Sequence, residues 1–168
     1  MQSIMASPGL LTLLRLLPFA TSSCSLWFSL DQHFFLSIFL EPDNRAHSKP
    51  LVSRYFRSFF DRGAPRVVGL LALTTISIIA SLRSASASFL HERGSYNWYV
   101  AGATFAASHL LFVPWIKPSI DGLRSGAKKN GSLELLTEWL RIHDYRTLSV
   151  DLAAWICCSV AVVRTFTP

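Results

Sequence analysis

The sequence predicts an all-α fold: a four-helix transmembrane bundle with two long loops on one side. Three observations predict it. The 168-residue chain is 51% hydrophobic and only 15% charged, with a mean hydropathy of +0.35. That balance belongs to membrane proteins rather than to water-soluble domains. Apolar runs of about the 17 to 25 residues that a bilayer requires recur along the chain. Finally, Lys and Arg gather in alternate connections between those runs. Hydrocarbon offers no partner to a free N–H or C=O, so the runs are read as helices and not as an open sheet.

The spans are placed at about 16–40, 65–83, 96–116 and 146–164 of a single integral-membrane domain covering 1–168. The first contains Pro18, Asp31 and His33. It lacks the charge that opens a secretory signal, because nothing basic precedes Arg15, and apolar character continues through Leu40. An uncleaved helix is expected, with Ala20-Thr21-Ser22-Ser23 as the one patch resembling a cleavage site. The second runs from Val67 to about Leu82, with an extension through SASASFL open, and the third from about Tyr96 to Ile116. The fourth is short alone, but LLTEWLRIHDYR holds neither Gly nor Pro, so a helix beginning near Ser132 continues into it. Gly69 with Ala72, Gly102 with Ala106, and Ala103 with Ala107 are small residues at spacings that let helices approach closely in lipid.

Charge sets the orientation. Arg45, Lys49, Arg54, Arg57, Arg62 and Arg66 follow the first span; Lys117, Arg124, Lys128, Lys129, Arg141 and Arg146 follow the third. The other side carries Arg15, Arg83, Arg93 and Arg164. Positive charge stays cytosolic, so both long loops are expected there, in a multi-pass protein of the endoplasmic reticulum. The sequon Asn130-Gly131-Ser132 should then carry no glycan. The net charge of +6 is dispersed between apolar runs, which argues against nucleic acid as a partner. Membrane lipid and a lipophilic small molecule are the expected partners, and a homo-oligomer is compatible with the sequence. Cys24, Cys157 and Cys158 lie in apolar runs and read as small fillers. Nucleotide, hydrolase and zinc-protease motifs are missing, and the five histidines show no metal-ligand spacing, so neither a metal nor a flavin is implied.

Ionisable residues at membrane depth are costly and therefore candidates for function. Trp139, His143, Arg146 and Val150 fall on one helical face. Asp144 and Asp151, seven apart, share another with Trp155. His109 lies well inside the third span, with Phe105 and Phe112 on its face, and needs an internal partner. Asp31 and His33 are two apart and diverge. A purely structural reading fits the same spacing: an interfacial Trp, an Arg reaching the headgroups and a His closing the end of the bundle.

LLTEWLRIHDYR resembles the L-x-x-W-x-x-L-H-x-x-R pattern of a small integral-membrane family that includes the fungal anthrone oxygenases. Ile142 stands in place of the second Leu, and Trp139, His143 and Arg146 match. PSIDGL, from Pro118 to Leu123, is similar to that family's P-x-N-x-x-L stretch, with Ile120 for the Asn. LVSRYFRSFFDRGAPR is similar to a segment ending in Y-x-x-G-H; Gly63 is kept, while Phe60 and Ala64 replace the Tyr and His.

The resemblance implies a membrane-bound monooxygenase of fungal secondary metabolism, oxidising an anthrone-type carbon of an aromatic polyketide to a quinone. Molecular oxygen is the co-substrate and no cofactor is implied. On this reading His143 is the base, Arg146 stabilises the enolate and Trp139 stacks on the flat substrate. His109, Asp31 and Asp121 are expected to orient the base or contact substrate. Three other readings stay open: an isomerase or cyclase moving protons through His143 and Asp151, a non-catalytic membrane scaffold, and an ion path through Asp31, His33, His109 and Asp151.

Overall fold

The structure is a computed structural model and describes residues 7–84, 87–126 and 131–167. Lys128, Lys129 and Asn130 of the sequon lie outside the described residues, as does part of SASASFL. Helix α1 (Pro8–Ser37) begins with Pro8 in its first turn and with the Ser7 hydroxyl accepting from the Leu10 N–H at 3.3 Å. A 3₁₀ turn, Ile38–Leu40, ends it. Glu41 is extended (φ −59°, ψ 141°), the conformation that a following proline imposes, and Pro42 opens α2 (Pro42–Leu82).

Helix α2 contains 41 residues, about 60 Å of helix against a hydrocarbon core of about 30 Å. Its first half therefore projects beyond the apolar span and carries the basic residues expected in the first long loop. The connection is helical instead of irregular, because Pro50 and Pro65 are taken up within one helix. After α3 (Ala87–Glu92) comes the third span: α4 (Tyr96–Ser108), a 3₁₀ turn at His109–Phe112, and α5 (Val113–Ser125). Pro114 accounts for the interruption, since its ring crowds the carbonyl four residues back and it has no N–H to donate. Gly126, at φ +64°, closes α5 in the left-handed conformation that glycine adopts without strain. The second connection is likewise mostly helix, because α6 (Ser132–Arg146) folds back on α5 before a π turn, Thr147–Asp151, leads into α7 (Leu152–Phe166).

Among the described residues, four helical stretches are long and apolar enough to cross a membrane: Pro8–Leu40, Pro42–Leu82, Tyr96–Ser125 and Ser132–Phe166. Trp27, Phe34, Val68, Ile76, Leu111, Trp115 and Leu148 stand exposed on the outside of the bundle, as lipid-facing side chains would. Inside, α1 packs on α2 and α7, and α4 on α7 and α2. Gly102 sits where α4 meets α7; a Cβ there would lie 3.0 Å from Cys158 Sγ. Gly69, by contrast, meets nothing within 4 Å, so its small size serves no contact inside this chain.

Among the described residues the core divides into two apolar clusters. Phe56, Leu123, Leu136 and Trp139 belong to the one at the basic end; Ile78, Leu90, Tyr99 and Cys158 belong to the other.

Candidate functional site

On a regular α-helix, residues five apart point about 140° away from each other. Arg146 and Asp151 are five apart, yet the Arg146 Nε donates to Asp151 Oδ2 at 3.2 Å. The π turn between them is the cause. Its wider coil, with the Leu152 N–H bonded back to Thr147 O, brings i and i+5 onto one face. This corrects the sequence expectation that Asp151 shares a face with Asp144 and not with Arg146. Asp144 instead pairs with His33 Nδ1 at 2.7 Å, near the surface.

Asp151 also receives His109. The His109 Nδ1 lies 2.8 Å from Asp151 Oδ1, and a carboxylate oxygen only accepts, so Nδ1 carries the proton. The Nε2 is then an acceptor, and it takes no hydrogen bond among the described residues. The 3₁₀ turn around His109 turns it inward to a buried position, while Phe105 on the preceding helix stays exposed. The expected shared face is therefore broken.

His143 is fully buried and differently engaged. Its Nε2 donates to the Ser29 carbonyl at 2.9 Å, and its Nδ1 accepts from Arg146 Nη2 at 3.0 Å. Trp139 stacks on the ring, with centroids 4.7 Å apart and planes 15° apart. Both nitrogens are thus occupied by protein. Ser29 Oγ, at 3.5 Å from both Arg146 Nη2 and Asp151 Oδ2, completes a buried chain: His143, Arg146, Asp151, His109.

This chain borders an apolar cavity of about 190 Å³. Phe59, Phe60, Gly63, Ala64, Val67, Val68 and Leu71 of α2 line one side, and Leu110, Val113, Ile116 and Ile120 line the other. The polar chain contributes His109 and Arg146; Gln32 of α1 and Trp139 of α6 complete the wall. His143 is not among the lining residues. The positions where family Asn and His are replaced, Ile120 and Ala64, both face this cavity, so the departures lie at the site itself.

Of the residues singled out from sequence, Trp139, His143, Arg146 and His109 meet here. Asp121 does not: it is exposed and paired with Lys117 at 2.5 Å on the surface of α5. Asp31 is absent from the cavity wall, whereas its neighbour Gln32 is part of it. Ser29 and Gln32 had no signal beyond position, since a Ser and a Gln in an apolar run carry no charge to attract notice. Among the described residues no group of three or more His, Cys, Asp or Glu is arranged to hold a metal ion.

A small bundle of membrane-length helices, with a buried His–Asp–Arg chain against an apolar cavity, is the class that fold and site define. No family model and no solved structure matches the chain. Curated proteins do. It is 30% identical over 156 residues to the epoxidase gkaX of Penicillium citrinum, covering 91% of this chain and 94% of that one. It is 27% identical over 158 residues to the probable epoxidase scpX of Mollisia scopiformis (92% and 97% covered). A third relative, the epoxidase pydX of an Acremonium species, is 26% identical over 162 residues (96% and 98% covered). The chain belongs to the family of these fungal biosynthetic epoxidases, the anthrone oxygenase-like group.

Proposed function

We propose that this protein is an oxygen-dependent oxygenase of fungal secondary metabolism, acting on a lipophilic, enolisable intermediate. The observation that carries the reading is the His109–Asp151 pair, whose unoccupied Nε2 belongs to a residue lining an apolar cavity. Relatives named epoxidases supply the reaction class.

His109 Nε2 takes a proton from a carbon or hydroxyl conjugated with a carbonyl group. Asp151 holds the Nδ1–H and stabilises the imidazolium that forms. The Arg146 guanidinium faces the negative charge that develops on the enolate oxygen. The carbanion adds molecular oxygen, and the peroxide anion recovers the proton from His109. Two outcomes balance. At an anthrone-type CH₂, the hydroperoxide loses water and leaves C=O, so one oxygen atom enters the product and the other becomes water. With a hydroquinone-type substrate, two protons and two electrons leave the substrate; one oxygen atom bridges two of its carbons and the other leaves as water. In both, the substrate supplies its own electrons, so the reading takes no cofactor beyond oxygen.

The relatives' names favour the epoxide outcome. The apolar Ala64 and Ile120 favour it too, because they leave fewer polar contacts for a hydroxylated anthrone. On this reading His143 is a positioning residue that orients Arg146. The basic connections support a topology with both on the cytosolic face of the endoplasmic reticulum.

Glutamine substitutions test the choice of base. Gln offers an N–H donor and a carbonyl acceptor, the two kinds of contact His143 uses, but it cannot take up a proton. In membranes supplied with ¹⁸O₂ and either anthrone or a naphthohydroquinone, wild type and His143→Gln should form singly labelled product. His109→Gln should lose at least about 100-fold in rate above background. The reverse pattern would return the base to His143.

A further inference from the structure

Among the side chains lining the cavity, Gln32 has a whole carboxamide left over, besides the Nε2 of His109 and the tightly enclosed indole N–H of Trp139. The residue is 6% exposed, and its carboxamide takes no hydrogen bond among the described residues. Nor is it one of the tightly enclosed unpartnered polar atoms, which places it against open space, and the space beside it is the cavity. Buried amides are nearly always hydrogen-bonded, so an unspent one on a cavity wall points to a partner that arrives with the ligand. Arg146 shares that wall and is a pure donor; His109 offers only an acceptor through Nε2.

The size of the cavity bears on what the ligand is. At about 190 Å³ it is smaller than the roughly 300–1,000 Å³ of most small-molecule sites. Val68, Leu110 and Val113 line it and are also exposed on the outer face of the bundle, so the cavity lies directly behind the apolar surface between α2 and the third span.

We propose that Gln32 and Arg146 together hold a carbonyl oxygen of the substrate, and that the substrate is larger than the cavity. A carbonyl-bearing ring sits inside, and an apolar remainder stays in the lipid between α2 and the third span. This rests on the cavity being the substrate site, as proposed above, and makes Gln32 a specificity-determining contact.

The test is a binding measurement, independent of turnover. Full-length protein in phosphatidylcholine nanodiscs is titrated with anthrone and with 9,10-dihydroanthracene, which has the same ring frame and no carbonyl, against empty discs. Wild type should bind anthrone about tenfold more tightly. In Gln32→Leu that preference should shrink to about threefold or less, since only Arg146 remains. Gln32→Met, which keeps the length of the side chain but removes the N–H donor, should lose it as well. Gln32 gives up no internal hydrogen bond, and matching elution profiles of the variants establish that they fold. An anthrone carrying a decyl chain should bind at least as tightly as anthrone itself. An unchanged preference in both variants, no preference in wild type, or exclusion of the decyl compound overturns the proposal. A Gln32-dependent preference without oxygen uptake leaves this inference standing and ends the oxygenase reading; oxygen uptake without that preference does the opposite.

Discussion

Two His–Asp pairs have their carboxylates seven residues apart on the fourth helical stretch, and they sit in different surroundings. His33–Asp144 closes at 2.7 Å with side chains 46% and 38% exposed; His109–Asp151 closes at 2.8 Å with 8% and 4%. Geometry is the same and surroundings are not. Where water reaches such an exposed pair it screens both partners and competes for their hydrogen bonds, so the pair contributes about 0–1 kcal/mol. In the interior each charge needs a partner, and Asp151 has two, Arg146 on Oδ2 and His109 on Oδ1. Burial also sets the second pair beside a cavity, because His109 is one of the residues that line it.

The largest expected effect comes from removing the buried carboxylate. Asp151→Asn leaves the Arg146 guanidinium without its counter-charge and His109 without its orienting acceptor. Loss of stability of about 3–5 kcal/mol is expected from breaking a buried pair on one side. The rate should fall by about 10²–10⁴, the usual contribution of a positioned base. Thermal unfolding in detergent and oxygen uptake in membranes measure the two. Asp151→Asn with wild-type uptake would remove the distinction between the pairs.

A second variant separates stability from function. In Arg146→Met with Asp151→Leu, no charge is left unpaired. Replacing a buried ion pair by apolar side chains of similar volume is often neutral or stabilising by about 1–4 kcal/mol. The double variant should regain the melting temperature that Asp151→Asn loses, while oxygen uptake stays absent. Recovery of both would mean that the buried chain is structural. Recovery of neither would mean that it organises the packing of α6 and α7.

Much of this arrangement was legible beforehand, for identifiable reasons. Spanning length and the absence of backbone partners in lipid fixed four helices, and the three-residue spacing of His143 and Arg146 placed them together on α6. What periodicity could not carry was the π turn, because an extra residue per coil leaves no mark on composition. Without it, Asp144 and Asp151 look equivalent; with it, one turns to the surface and the other to the core. The partnership of His109 with Asp151 joins segments 42 residues apart and has no local signature. Gln32 was hidden for another reason. The ionisable residues on either side of it, Asp31 and His33, carry the stronger signal in an apolar run, yet the neutral amide between them is the one lining the cavity.

The smallest expected effects belong to the exposed pair. Asp144→Asn and His33→Gln each remove one partner from a contact that water already shares. Surface changes of this kind usually stay within about 0.5 kcal/mol. Oxygen uptake should remain within about twofold of wild type, since neither residue lines the cavity. Salt sharpens the point. Mobile ions screen exposed charges over a Debye length of about 10 Å at 0.1 M and about 3 Å at 1 M, but reach a buried pair much less. Any difference in melting temperature between wild type and His33→Gln should therefore narrow as salt rises, while the deficit of Asp151→Asn persists. If His33→Gln instead lowered uptake as far as His109→Gln, the exposed pair would have to be part of the catalytic chain, and burial would no longer be what distinguishes them.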